Sequence, residues 1–274
     1  MQIIKTVLSI AILLFAMQSA QAQRGTSVSP SRLYYKINPG GYKSQTIHIT
    51  NSGKTKESFT VSFANFSSPG NKGKTKIDTS LNSEHGCAQW LSASPSFFEV
   101  GAGETQDIEI LLQIPNTPDA NTVRWGIIIV KSAYENKGSE EGGEKTVGMH
   151  IMQSFQFGVH VFQTPPSVTF KEVTVRKFYR DSLASDSTIN LNIEVENTGD
   201  AIANCAPYLD LINLKTGESH RLKGKGFTVL PGGIREVVFI LPEGIKPGEY
   251  SILGVVDYGS KTDFAASEMK LTIP

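Results

Sequence analysis

The sequence predicts an all-β protein built as two β-sandwiches in tandem. Three observations predict it: extended runs whose apolar residues alternate with period two, turn-forming clusters between those runs at short spacing, and no helical apolar period anywhere in the chain. The run TINLNIEVEN shows the alternation most clearly. Its residues Ile189, Leu191, Ile193 and Val195 fall on every second position, so one sheet face would carry all four into a core.

The elements follow in order. Residues 1–22 read as a cleaved signal peptide, with Lys5 as the positive start, TVLSIAILLFAM as a short apolar stretch and Ala20-Gln21-Ala22 as the cleavage site. That stretch is shorter than the ~20 residues a spanning helix needs, and no later run approaches it, so membrane insertion is not expected. No Cys follows the cleavage site, which argues against a lipid anchor. The expected location is therefore periplasmic or extracellular, with two domains at residues 23–164 and 165–274.

In the first domain, VSPSRLYYKI reads as a strand in which Pro30 demands an edge or a sheet-switching bend. In YKSQTIHIT, Ile47 and Ile49 point inward and His48 outward. In SFTVSFANF, Phe59, Val61 and Phe63 share a face, and Ser67 to Gly86 reads as a long loop. AQWLSASPSFFEV and TQDIEILLQI continue the series, for seven or so strands in all. Thr164-Pro165-Pro166 ends the domain, because proline stops a strand and stiffens the join. The second domain offers seven more runs: SVTFKEVTVRKF, STINLNIEVENTG, NCAPYLDLINLKTG, SHRLKGKGFTVL, IREVVFIL, GEYSILGVVDYG and AASEMKLTI.

The longest feature is a hairpin from Val123 to Phe162 with a polar tip, ENKGSEEGGEK. In its second arm Val147, Met149, Ile151, Phe155, Phe157, Val159 and Val161 are apolar on one parity, while the other parity is mostly small or polar. Fully extended, such an arm would reach on the order of 50 Å, which is long for a strand. One face would lie on a core and the other towards solvent or a partner.

Composition excludes several function classes. The chain has 26 basic and 26 acidic residues, and only Lys5 lies in the leader, so nucleic acid is not an expected partner. No nucleophile elbow, HExxH, P-loop or GxGxxG is present, and an enzyme is not expected. Glu140, Glu141 and Glu144 in the hairpin tip read as solvated carboxylates. His150 and His160 share a strand face but would stand roughly 33 Å apart, and His85 with Cys87 lacks a second pair of ligands. No metal and no cofactor are expected. Cys87 and Cys205 pair across the domains or remain as two lone thiols. His48 and His220 read as surface residues, and Trp90, Trp125, Phe97, Phe98 and Phe155 as core packing. Arg32 reads either as a solvated edge residue or as a cation offered to a partner's carboxylate.

Taken together, VSPSRLYYKINPGG, the ITN closing the second strand, FFEVGAGETQDIEI and the long hairpin resemble the PapD-like periplasmic chaperone superfamily. The resemblance covers most of residues 27–164 and implies two immunoglobulin-like domains. It further implies that the last strand of the first domain is lent to an exported protein subunit by β-augmentation. The implied partner-binding residues are Met149, Ile151 and Phe155 on that strand, with Arg32 and His160 at the place where the family holds a terminal carboxylate. The chain departs from the family there, since HIMQSFQFGVHVF contains no Lys or Arg and a neutral histidine supplies little charge. The alternative role is a structural or adhesive surface module that binds a cell-envelope polymer or protein. In either role an unpaired edge invites self-association.

Overall fold

The computed structural model describes residues 25–78, 83–133, 155–181 and 189–273. The expected signal peptide, the hairpin tip with Glu140, Glu141 and Glu144, His150, and the candidate residues Met149 and Ile151 lie outside the described residues. The first half holds β1 (Thr26–Ser29), β2 (Arg32–Tyr35), β3 (Tyr42–Asn51), β4 (Glu57–Ser67), β5 (Lys76–Asp78), β6 (Leu91–Ser94), β7 (Phe97–Val100), β8 (Thr105–Gln113), β9 (Arg124–Ala133) and β10 (Gln156–Gln163). The second half holds β11 (Val173–Arg180), β12 (Asn190–Asn197), β13 (Ala203–Asn213), β14 (Ser219–Lys223), β15 (Phe227–Val229), β16 (Ile234–Ile240), β17 (Gly248–Asp257) and β18 (Ala265–Ile273).

These strands form two β-sandwiches. In the first, β1-β3-β8-β6 faces β2-β10-β9-β4-β5, with β7 also beside β4. In the second, β11-β12-β16 faces β14-β13-β17-β18, with β15 beside β13. Alternation sets both cores. Ile47, Ile49, Ile108, Ile110, Leu112, Phe59, Val159 and Val161 meet in the first, while Leu191, Ile193, Val195, Leu209, Leu211 and Ile252 meet in the second. Each such aliphatic side chain contributes roughly 1.5–3 kcal/mol when fully buried.

The expected sheet switch occurs at Pro30. β1 pairs antiparallel with β3, and after Ser29–Pro30 the chain crosses over, so that β2 pairs parallel with β10. Elsewhere the structure corrects the reading in detail. Ser67–Gly86 is not simply a loop, because Lys76–Asp78 pairs with Asn65–Ser67 of β4. AQWLSASPSFFEV divides between sheets, with β6 on β8 and β7 on β4. SHRLKGKGFTVL breaks into β14 and β15, and among the described residues the first half contains ten strands where seven or so were expected. Gly224 sits in that break, where a Cβ would press on the Phe239 ring.

A third apolar cluster joins the sandwiches. Ala64, Phe66, Val123, Trp125, Ile127 and Phe162 from the first half pack with Ile202 and Leu230 from the second. β9 is therefore covered on both faces, which explains the unbroken apolar run Ile127-Ile128-Ile129-Val130. A polar strap adds to this contact. Between β4 and β5, the Asn71 carbonyl accepts the Glu236 N–H at 2.8 Å, and Asn71 Nδ2 donates to Glu194 at 2.9 Å. Lys72 pairs with Glu236, whose side chain is only 4% exposed.

Each sandwich closes its second long strand on a buried asparagine. Asn51 donates to the carbonyls of Thr55 at 2.7 Å and Val100 at 3.0 Å, and accepts from Gly53 N–H at 2.9 Å. Asn197 repeats the arrangement with Ala201 at 2.9 Å, Val229 at 3.1 Å and Gly199 at 3.0 Å. Removing either amide strands two carbonyls and one N–H, fully buried around Asn197 and partly buried around Asn51. Asn51→Ala and Asn197→Ala should each cost about 2–4 kcal/mol, measured by denaturant unfolding, and Asn51→Asp should not restore the loss because a carboxylate cannot donate.

Candidate partner-binding cleft

The parallel pairing of β2 with β10 places the candidate residues. Arg32 and His160 are register partners, followed by Leu33 with Val161 and Tyr34 with Phe162. Side chains alternate along each strand, so Arg32, Tyr34, His160 and Phe162 share the face opposite the core. That face forms one wall of a cleft of about 520 Å³ whose other wall is residues Lys225 to Val238 of the second sandwich. The sequence-predicted pair Arg32 and His160 is thus brought together, at the mouth of a groove between the sandwiches.

Packing holds His160 firmly. Its ring stands edge-on to Phe66 at 5.0 Å and stacks parallel to Phe162 at 6.1 Å, and Phe162 in turn stacks on Tyr34 at 5.4 Å. Nε2 lies 2.9 Å from the Thr75 hydroxyl on the strap. Burial, and then the charge of Arg32, hold the imidazole below the ordinary histidine pKa. Arg32 itself is exposed, and among the described residues it has no ion-pair partner.

Of the expected long donating strand, Gln156–Gln163 lies within the described residues, and its second half is paired on both sides. β9 pairs antiparallel with the whole of it, while β2 pairs with His160–Gln163 alone. Gln156–Val159 therefore has a strand on one side only, among the described residues. The hydrogen-bond alternation shows which groups are free. Phe155 C=O accepts the Ser132 N–H and His160 N–H reaches the Ser31 carbonyl, so the outward-facing backbone groups of the open stretch belong to Gln156 and Gly158. Phe155, at its start, is 45% exposed.

Other candidates fall as follows. Phe98 is buried and Trp90 packs on the first core, but Phe97 is exposed, and Trp125 sits in the cluster between the sandwiches. The core reading is thus overturned for Phe97, the first residue of β7, and for Phe155, just before β10, both of which are exposed. His85 stacks on Trp125 at 4.4 Å. Cys87 and Cys205 are both free thiols, buried in separate cores, and burial pushes each up to about 12. His48 lies 2.6 Å from Asp107 on the surface. Thr75, Lys225 and Arg235 were not foreseen. Thr75 lay in a stretch read as loop, and the other two reach the cleft only because the second sandwich docks beside Phe162.

The depressed His160 fixes the sign of a pH effect. The unfolded histidine binds a proton near its ordinary pKa of ~6.5, whereas the folded one resists until lower pH. His160 thus contributes stability that is complete above the ordinary value and is lost as pH falls towards the folded value. Melting temperatures of the wild-type protein and His160→Gln, compared from about pH 7.5 down to 5.5, should show the wild type losing more stability on acidification. Parallel curves would refute the buried neutral imidazole.

No protein-family model and no curated protein matches the chain. Among solved structures it is similar to the E. coli chaperone DraB, with 14% identity and a TM-score of 0.45 over 89% of this chain and 98% of that one. The complex of the Salmonella enterica SafA pilin with the SafB chaperone contains a chain that matches at 12% identity and a TM-score of 0.45, over 91% and 99%. The class 5 fimbriae chaperone CfaA matches at 10% identity and a TM-score of 0.45, over 91% and 100%.

Proposed function

We propose that this is a non-enzymatic exported protein that captures an extended segment of another exported polypeptide along β10, in the manner of a chaperone or assembly factor for surface structures. Its working division would lie at residues 164 and 165. The observation that supports this most directly is the half-sealed edge. β2 covers His160–Gln163 and stops, so that among the described residues Gln156 and Gly158 present unpaired donors and acceptors beside the exposed ring of Phe155.

An incoming strand gains backbone hydrogen bonds at this edge, and apolar residues on β10 supply side-chain specificity. Met149 and Ile151 would extend the same side of the strand. The chain end would then arrive beside Arg32 and His160, where the guanidinium offers a charge-assisted pair to a carboxylate. A Cβ at Gly158 would meet Ile127 Cδ1 of β9 at 2.8 Å.

A photocrosslinker at Phe155 should trap an exported polypeptide in cells. Met149→Ser with Ile151→Ser, and separately Gln156→Pro, should each remove the adduct while leaving the melting temperature within a few degrees, because proline is tolerated on an open edge. An adduct at undiminished yield in both variants would sink strand capture. It would point instead to recognition on an outer sheet face, as expected of an adhesive or structural module.

A further inference from the structure

The smaller sheet of the second sandwich ends on β16, which pairs with β12 alone among the described strands. Hydrogen-bond parity shows what its other side offers. Leu241 N–H reaches the Ile189 carbonyl beside β12, whereas Glu236 N–H points the opposite way, to the Asn71 carbonyl on the strap at 2.8 Å. In an antiparallel strand the N–H and C=O of one residue share a side, so Ile234, Glu236, Val238 and Ile240 all face away from β12. Among the described residues, no backbone group pairs with Val238 or Ile240 on that side.

Sheet edges are ordinarily blunted by charge, proline or a bulge. β11, the other edge of this sheet, has a bulge between Val175 and Lys177 together with Arg176, Lys177 and Arg180. β14, an edge of the facing sheet, has His220, Arg221 and Lys223. Beyond Glu236, β16 reads Val-Val-Phe-Ile and keeps an even register with β12. Its Val238 and Ile240 side chains are 48% and 64% exposed, and Val238 lines the open cleft. The strap stands in for the missing protection. Its Asn71 carbonyl takes the position of a neighbouring strand, Asn71 Nδ2 donates to Glu194 at 2.9 Å, and Lys72 pairs with Glu236. Gly73, at φ +63°, lets the strap pass the Arg235 guanidinium, which a Cβ there would strike.

We infer that the strap guards β16 against a second copy of this chain, which otherwise pairs with it edge to edge and antiparallel about a two-fold axis. Length decides this. With the strap seated, only the Val238–Ile240 end is open among the described residues, too short a stretch to hold another molecule. Lifting the strap frees all seven residues of Ile234–Ile240, more than the 5–6 or so of an ordinary strand. A second copy always brings the identical edge, and such an isologous pair closes on itself. This surface is separate from the open edge of β10 and does not depend on strand capture.

The test follows the mass of the full exported chain by sedimentation velocity over a concentration series. Asn71→Asp with Lys72→Glu sets carboxylates against Glu194 and Glu236 and should lift the strap, raising dimer affinity about tenfold or more over the wild type. Val238→Lys added to that pair should restore the monomer, because a lysine on the edge blocks pairing; Gln156→Pro added to it should not. A strap variant that stays as monomeric as the wild type overturns the inference, as do dimers that survive Val238→Lys. Dimers that vanish with Gln156→Pro also overturn it and assign association to β10. The unfolding transition of each variant is recorded alongside. Where the double variant has lost that transition, Lys72→Met, which removes the ion pair alone, is judged by the same outcomes.

Discussion

The structure depends on one short parallel pairing, four residues of β2 laid against the upper half of β10. Because β1 belongs to the opposite sheet, this crossing at Ser29–Pro30 ties the two layers of the first sandwich through a single strand. Among the described residues it also divides β10 into a part paired on both sides and a part paired on one. A shorter β2 would have left Arg32 out of register with His160 and opened the edge into the floor of the cleft.

The second constraint is the docking of the sandwiches. The apolar cluster around Trp125 and Phe162 supplies area, but area alone permits sliding. The strap between β4 and β5 adds direction, because its Asn71 pairs with both a backbone N–H of β16 and a carboxylate of β12. Glu236 sits with Lys72 on one side and Tyr179 on the other, and Asn192 reaches the same tyrosine at 3.3 Å. A carboxylate this buried is tolerable only while those partners stay in place. The strap also touches His160 through Thr75, so one segment holds the cleft's floor and its far wall together.

How much of this was legible in the sequence follows from which interactions have a local period. Ile47, Ile49, Leu191, Ile193 and Val195 declared their faces because each strand buries one side and wets the other. β9 did not, since a strand covered on both faces loses its alternation, and the reason for that cover lies in Ile202 and Leu230, far along the chain. β5 was missed because Lys-Ile-Asp is three residues long and two of them are charged. Arg32 and His160 were placed by resemblance, and the register then made them neighbours. Thr75 and Arg235 had no signal of their own, because their presence in the cleft depends on how two independent cores pack together.

That last point explains the electrostatics of the cleft. His160 on β10 is flanked by two aromatic rings and an arginine, and burial followed by that positive charge holds its imidazole below the ordinary histidine pKa. Such a residue is suited to hold position: it stacks on Phe162, meets Phe66 edge-on and hydrogen-bonds the strap. Charge placed there would have to be desolvated against those rings and would repel Arg32 across the register.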